Sequence, residues 1–79
     1  MNINEEELLK IGFKRIEWED EGERFHEFQY GPKEGRYHLT VHYKMNVELI
    51  VNEYDWFPLP FCKTIEDINH LIRILGITK

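Results

Sequence analysis

The 79 residues of the chain, 42% of them hydrophobic and 14% aromatic, leave room for one small domain and exclude a disordered segment, which would have too few aromatic residues to form a core. The formal net charge of −5 opposes contact with anionic surfaces, so we expect neither direct nucleic-acid binding nor membrane binding. Cys62 is the one cysteine and the N-terminus has no signal-peptide pattern, so we expect a single soluble domain over residues 1–79, located in the cytoplasm.

A short helix and then a strand are predicted at the start of the chain. Asn4 is a typical N-cap, the three glutamates after it suit the positive end of the helix dipole, and Gly12 ends the helix. The hydrophobic period then becomes two, with Ile16 and Trp18 on one side of a first strand. The acidic stretch 19–23 interrupts the alternation and predicts the turn that ends this strand.

Three more strands are predicted in the middle of the chain. Phe28 and Tyr30 alternate with polar residues, and the Gly and Pro residues of the segment 31–35 predict a turn after them. Alternate residues are hydrophobic again over 37–43 and over 47–51, which is the two-residue period of a strand. We expect successive strands to pair as hairpins, which gives an antiparallel meander.

The last segment predicts a helix that packs on this sheet. Thr64 is the N-cap, Asp67 completes a variant of the capping box, and Gly76 ends the helix. Apolar residues are expected to hold both helices against the sheet: Leu8, Leu9, Phe13, Ile68, Leu71, Ile72 and Leu75. The predicted fold is therefore α+β, with the order α-β-β-β-β-α and a four-stranded antiparallel sheet that carries both helices on one face.

Burial decides the expected registers, because a one-residue slip would turn the apolar side of a strand to water. Phe28 opposite Leu39, and Val41 opposite Leu49, keep the apolar residues together. The face under the helices is then expected to carry Ile16, Trp18, Phe28, Tyr30, Tyr37, Leu39, Val41, Tyr43, Val47, Leu49 and Val51. The opposite face is expected to carry Phe25, Glu27, Gln29, His38, Thr40, His42, Glu48, Ile50 and Asn52.

This opposite face is a candidate functional surface. The expected registers place His42 opposite Glu48, and Ile50 opposite Thr40. His38, His42 and Glu48 have the chemistry of zinc ligands, but the two histidines are four residues apart on one strand, roughly 13 Å, which is too far to share a metal. We therefore predict no metal site, and a small enzyme that uses these side chains is kept as an alternative.

No sequence motif assembles a catalytic centre. Cys62 precedes the N-cap of the closing helix, where the pKa of a thiol can fall, but no histidine and aspartate can be placed beside it. Phosphate-binding, metalloprotease and nucleophile-elbow patterns are missing from the sequence. We therefore predict no catalytic residue and no cofactor.

The segment 54–61 combines aromatic and proline residues where connections are commonly polar. A lid over the end of the core and a proline-interrupted edge strand are its two structural interpretations. Its functional interpretation is an anchor for a partner protein, since aromatic residues dominate interface hot spots. The candidate partner-binding residues are Tyr54, Trp56, Phe57 and Leu59 of this segment, with Phe25, His38, His42, Glu48 and Ile50 of the face opposite the helices.

Two segments frame the strand meander: the end of the opening helix, Leu8-Leu9-Lys10-Ile11-Gly12-Phe13, and the closing stretch over residues 63–75. With the meander between them, this layout resembles that of small accessory proteins of bacteriophages and mobile elements. The resemblance implies an intracellular protein that contacts another protein, such as a host factor.

We therefore predict a non-enzymatic protein–protein interaction module whose partner is another protein. A weak homodimer is a further hypothesis, through Phe25, Thr40 and Ile50 or through Trp56 and Phe57. The main alternative function starts from the five carboxylates within residues 17–23, which together with Glu5, Glu6 and Glu7 could imitate nucleic-acid phosphates and block a basic nucleic-acid-binding protein.

Overall fold

The fold is an antiparallel sheet between two terminal helices, in a computed structural model that describes residues 2–32 and 34–77. In chain order its elements are α1 (Glu5–Ile11), β1 (Lys14–Asp20), β2 (Glu23–Tyr30), β3 (Tyr37–His42), β4 (Val47–Val51), β5 (Asp55–Pro58) and α2 (Ile65–Leu75). The strands are ordered β1-β2-β3-β4-β5 across the sheet, so each pairs with its neighbour in sequence. The predicted α+β meander is confirmed, but the described residues form five strands where four were expected.

The additional strand is β5, at one edge of the sheet. It pairs with β4 after a turn in which Asn52 and Glu53 have positive φ angles of 52° and 69°. Pro58 lies opposite Glu48, and an edge strand tolerates proline because its outer side needs no N–H donor. Of the two structural interpretations of segment 54–61, the proline-interrupted edge strand is therefore the one that the structure adopts.

Local hydrogen bonds fix the two helices where the caps were predicted. The Asn4 side chain accepts a hydrogen bond from the Glu7 N–H at 2.9 Å. Thr64 and Asp67 form a complete capping box, in which the side chain of each accepts the backbone N–H of the other. Within the described residues, neither helix is long and apolar enough to cross a bilayer.

Both helices pack on the same face of the sheet. Leu8 of α1 and Ile68 of α2 are fully buried in one core with Phe28, Leu39 and Val41, which point to a single side of β2 and β3. Leu9, which was expected in this core, is about half exposed on α1. The sheet face opposite the helices is named the open face below.

The predicted registers of β2–β3 and β3–β4 are wrong by two residues. Phe28 lies opposite Val41, and Leu39 lies opposite Leu49. A shift of two residues keeps every side chain on its face, so the expected division of these strands into two faces is retained. The cross-strand pairs do change: His42 lies opposite Glu27 instead of Glu48.

The same two-residue shift changes the residue that lies opposite Ile50 on the open face. Ile50 lies opposite His38 instead of Thr40, which itself lies opposite Glu48. Tyr43 and Asn52 were expected within strands, but both belong to turns. The expected cross-strand contact between an imidazole and the Glu48 carboxylate is therefore not part of the sheet.

β1 is turned over relative to its prediction. Ile16 and Trp18 were expected under the helices, but they lie opposite Glu27 and Phe25, on the open face. The helix side of β1 instead carries Arg15, whose guanidinium lies 3.1 Å from Glu5 of α1 and 3.0 Å from Glu17. The N-terminal end of α1 thus meets a polar edge strand, and the apolar side of that strand faces away from the core.

Candidate functional site

The open face carries two apolar clusters at opposite edges of the sheet. The hairpin cluster consists of Ile16 and Trp18 from β1 with Phe25 from β2. The edge cluster consists of Ile50 from β4 and Trp56 from β5, which lie directly opposite each other. Because one cluster lies on β1 and β2 and the other on β4 and β5, the strand β3 lies between them.

Polar side chains fill the middle of the open face, between the two clusters. Gln29, Thr40 and Glu48 lie side by side across β2, β3 and β4. Glu27 and His42 form the neighbouring pair. Thr40 is only 6% exposed, so it cannot form the centre of a contact with a second copy, as the homodimer hypothesis required.

The structure does not bring the nine predicted partner-binding residues together on one surface. Five of them, Phe25, His38, His42, Glu48 and Ile50, lie on the open face as expected, and Trp56 joins them from β5. Phe57 lies opposite Leu49 and so faces the helix side. Tyr54 and Leu59 flank β5 at its two ends.

Three of the candidate chemical groups line one groove. His42, Glu48 and Cys62 border a groove of about 610 Å³ between the β3–β4 turn, the segment after β5 and the start of the chain. Its other lining side chains are largely apolar, among them Ile3 and Val47. A groove of this size, with few polar groups, has the general form of a small-ligand or peptide site.

These groups are not assembled for catalysis in the described part of the chain. No hydrogen bond or ion pair joins His42, Glu48 and Cys62 there, and His42 Nδ1 accepts the Lys44 N–H at 3.3 Å. His38 does not line the groove. The same residues contain no group of three or more His, Cys, Asp and Glu that could hold a metal ion.

Cys62 has the properties of a buried structural thiol. Burial, and to a smaller extent the neighbouring Asp67 carboxylate, together raise its pKa to about 11. That carboxylate has a lowered pKa because it accepts hydrogen bonds from the Lys63 N–H and from Thr64. The helix N-terminus, which was expected to lower the thiol pKa, therefore has less effect than burial and Asp67. The thiol is protonated and weakly nucleophilic near neutral pH.

Residues 54–61 form an exposed aromatic surface, named the β5 surface below. Tyr54 is 86% exposed, Trp56 58%, Phe57 51% and Phe61 67%. Leu59 instead packs against the buried core. Phe61 was not among the candidate residues, although it belongs to the same run of aromatic and proline residues.

The hairpin cluster was missed because its β1 residues were assigned to the core. Trp18 is 42% exposed, and its ring is stacked on Phe25 with ring centroids 5.9 Å apart and an interplanar angle of 22°. The signal that would have found it is the turn Glu21-Gly22, whose φ angles of 51° and 82° mark a two-residue hairpin. That turn fixes Trp18 opposite Phe25.

Comparisons of this chain with protein-family models, with curated proteins and with solved structures found no match.

Proposed function

We propose that this protein is a non-enzymatic protein-binding module and that its β5 surface docks on an apolar surface of another protein. The observation that carries the proposal is the exposure of four aromatic side chains within eight consecutive residues. Clustered exposure of large apolar side chains is typical of a surface that a partner covers. Aromatic side chains also contribute most to the binding energy of protein interfaces.

The geometry of β5 suits a protein partner. Trp56 projects to the open face and Phe57 to the helix side, so a partner that reaches both must wrap around the edge of the sheet. No strand lies beyond β5 in the described residues, which leaves this edge accessible. A small ligand could not contact both sides of the strand, whereas a folded protein or an extended segment could.

The groove next to β5 extends the apolar area available to such a partner. Pro58, Leu59 and Pro60 line the groove together with Met45 and Val47. The β5 surface and the groove are therefore continuous. A partner segment that covers the exposed aromatic residues can place a further apolar side chain in the groove.

The charges of the molecule support a protein partner over an anionic polymer. The β5 surface contains one charged residue, Asp55, and the whole chain has a net charge of −5. Nucleic-acid phosphates would be repelled by this charge and would find no cluster of Lys or Arg within residues 54–61. An uncharged, largely apolar partner surface is compatible with both observations.

Affinity capture with matched variants tests the proposal. The resemblance in layout to phage and mobile-element accessory proteins makes a bacterial lysate the first source of partners. We expect a protein that the wild type captures to be lost with Trp56→Ser/Phe57→Ser and kept with Leu9→Ser/Ile74→Ser, which removes two exposed apolar side chains from the helices. Calorimetry with that purified protein should then show a dissociation constant raised by at least about tenfold in the β5 variant only.

Two outcomes contradict the proposal. A binding protein that both double variants retain would place the interface elsewhere. A wild type that is already dimeric by sedimentation at low ionic strength, with the dimer lost in the β5 variant, would identify a second copy of the chain as the occupant of this surface.

A further inference from the structure

The β1–β2 hairpin presents a second aromatic surface, at the opposite edge of the sheet from the β5 surface. Trp18 and Phe25 lie side by side on the open face with stacked rings. Ile16 extends the same surface along β1 and is also exposed. The Trp18 ring is 42% exposed on this face, whereas Phe25 is half-buried, with its ring centroid 6.0 Å from that of Tyr43.

Carboxylates flank the stacked rings along the hairpin. Asp20 lies opposite Glu23 in the next open-face pair toward the turn, and Glu27 lies opposite Ile16 in the next pair away from it. Successive pairs on one face of a sheet are two residues, about 7 Å, apart. The rings therefore lie between negative groups at a distance that one long side chain can span.

The carboxylates on the two faces of the hairpin differ in whether they form ion pairs. On the helix side, Glu5 and Glu17 both form ion pairs with Arg15. Within residues 2–32 and 34–77, no ion pair includes Asp20, Glu23 or Glu27. Asp20 and Glu23 are like charges directly opposite each other, an arrangement that destabilises a strand pair and that a bound cation would relieve.

Of the basic side chains near the hairpin cluster, Lys14 lies on the open face opposite Gln29, at the end of β1 away from the turn. Arg24 lies opposite Glu19, on the helix side of the hairpin. His42 lies opposite Glu27, and the Lys44 ammonium lies 5.7 Å from the centre of the Tyr43 ring. The segment 17–23 holds five carboxylates and no Lys or Arg, so the turn end of the hairpin remains negative.

We propose that the hairpin cluster binds an arginine side chain within a basic segment of a partner protein. The planar guanidinium stacks on the exposed Trp18 ring beside the half-buried Phe25 ring, a contact that arginine makes more readily than lysine. Its N–H groups donate hydrogen bonds to the carboxylates of Asp20 and Glu23. This surface is separate from the β5 surface, and the proposal holds or fails independently of the function proposed for that surface.

Fluorescence anisotropy with a defined peptide tests the proposal. The probe is a dye-labelled, end-blocked Gly-Arg-Gly-Arg-Gly peptide, compared with the same peptide containing neutral citrulline in place of arginine. We expect saturable binding of the arginine peptide at low ionic strength and about tenfold weaker binding of the citrulline peptide. The fully folded chain is used throughout, and far-UV circular dichroism confirms the fold of each variant.

Matched variants separate this surface from the general charge of the protein. Trp18→Leu and Asp20→Asn/Glu23→Gln should each weaken binding of the arginine peptide by about tenfold, the size of a cation–π contact or a pair of charge-assisted hydrogen bonds. Two control variants, Trp56→Leu and Glu53→Gln/Asp55→Asn, change the same residue types at the other edge of the sheet. Each should change the affinity for the arginine peptide by less than about twofold.

Three results would overturn the proposal. Equal binding of the arginine and citrulline peptides would exclude recognition of the cation. Equal losses in the two double charge variants would mean that the peptide responds to net charge alone. Unchanged binding in Trp18→Leu would exclude the rings as part of the site.

Discussion

Ile68 and Ile74 lie on the same helix, but only one of them belongs to the core. Ile68 is fully buried, whereas Ile74 is 63% exposed. Truncation of a buried isoleucine leaves a cavity, so we expect Ile68→Ala to lower the free energy of unfolding by about 2–5 kcal/mol. Ile74→Ala is the matched control, with an expected change below about 0.5 kcal/mol. Urea denaturation measures both, and equal losses would contradict the packing of α2.

Cys62 should react with alkylating reagents as a buried thiol does. Its pKa is raised from 9.0 to about 11 by burial and then by Asp67. The reactive thiolate becomes more populated as the pH rises toward the pKa, so the rate for the folded protein should still increase above pH 9. In denaturant the pKa returns toward 9.0, and the rate should level off near that pH. Iodoacetamide labelling followed by mass spectrometry measures both profiles, and a folded-state rate that levels off below pH 9 would exclude the raised pKa.

The β1–β2 turn determines which side of β1 faces the core, and two substitutions with opposite expected signs test its geometry. Glu21 and Gly22 have φ angles of 51° and 82°, as in a type I′ turn, where Asn-Gly is the preferred sequence. We expect Glu21→Asn to raise the free energy of unfolding by about 0.5 kcal/mol and Gly22→Ala to lower it by about 1 kcal/mol. A Cβ at Gly22 meets no atom within 4 Å, so this loss comes from the backbone angle alone. Thermal unfolding measures both, and changes of the same sign would contradict this turn type.

Local signals were sufficient to predict the helices and the strands β2, β3 and β4. The caps at Asn4 and Thr64 are hydrogen bonds between residues three apart, which a sequence pattern records directly. Alternation also assigns the faces of these three strands. Alternation cannot fix the register, because registers that differ by two residues turn the same side chains toward the core. The predicted pair Phe28–Leu39 and the observed pair Phe28–Val41 differ in this way.

The two edge strands were harder to predict because packing constrains them less. β1 alternates as cleanly as a central strand, and only its turn shows that Ile16 and Trp18 face away from the helices. β5 is four residues long and contains a proline, so its composition also fits a loop. An edge strand has a neighbour on one side only, so less of its surface is buried. The strands that were predicted wrongly are therefore also the ones that carry exposed aromatic residues.

At the scale of the whole molecule, the candidate residues divide between two distant surfaces. The sequence places Trp56 and Phe57 side by side, but alternation sends their side chains to opposite faces of β5. Phe25 and Ile50 share the open face, yet they belong to clusters at its two edges. Proximity across a sheet depends on strand order and register, so a list of candidate residues could be predicted, whereas their grouping could not.

Net charge sets the expected response of these surfaces to salt. Two copies of the chain, each with a formal charge of −5, repel each other, and salt screens this repulsion as the Debye length falls from about 10 Å at 0.1 M to about 3 Å at 1 M. We therefore expect any weak homodimer through the edge cluster to strengthen with ionic strength. Binding of the basic peptide to the hairpin cluster should weaken over the same range.

Sedimentation equilibrium of the wild type beside Ile50→Lys and Trp56→Ser measures the self-association. We expect monomers at low ionic strength, a growing dimer fraction at high salt, and loss of that fraction in both variants, because each removes apolar surface from the edge cluster. Ile74→Ser, which removes an equally exposed apolar side chain from α2, should leave the dimer unchanged. A wild type that stays monomeric at high micromolar concentration in every salt condition would exclude the homodimer, and a dimer that survives both substitutions would exclude the edge cluster as its interface.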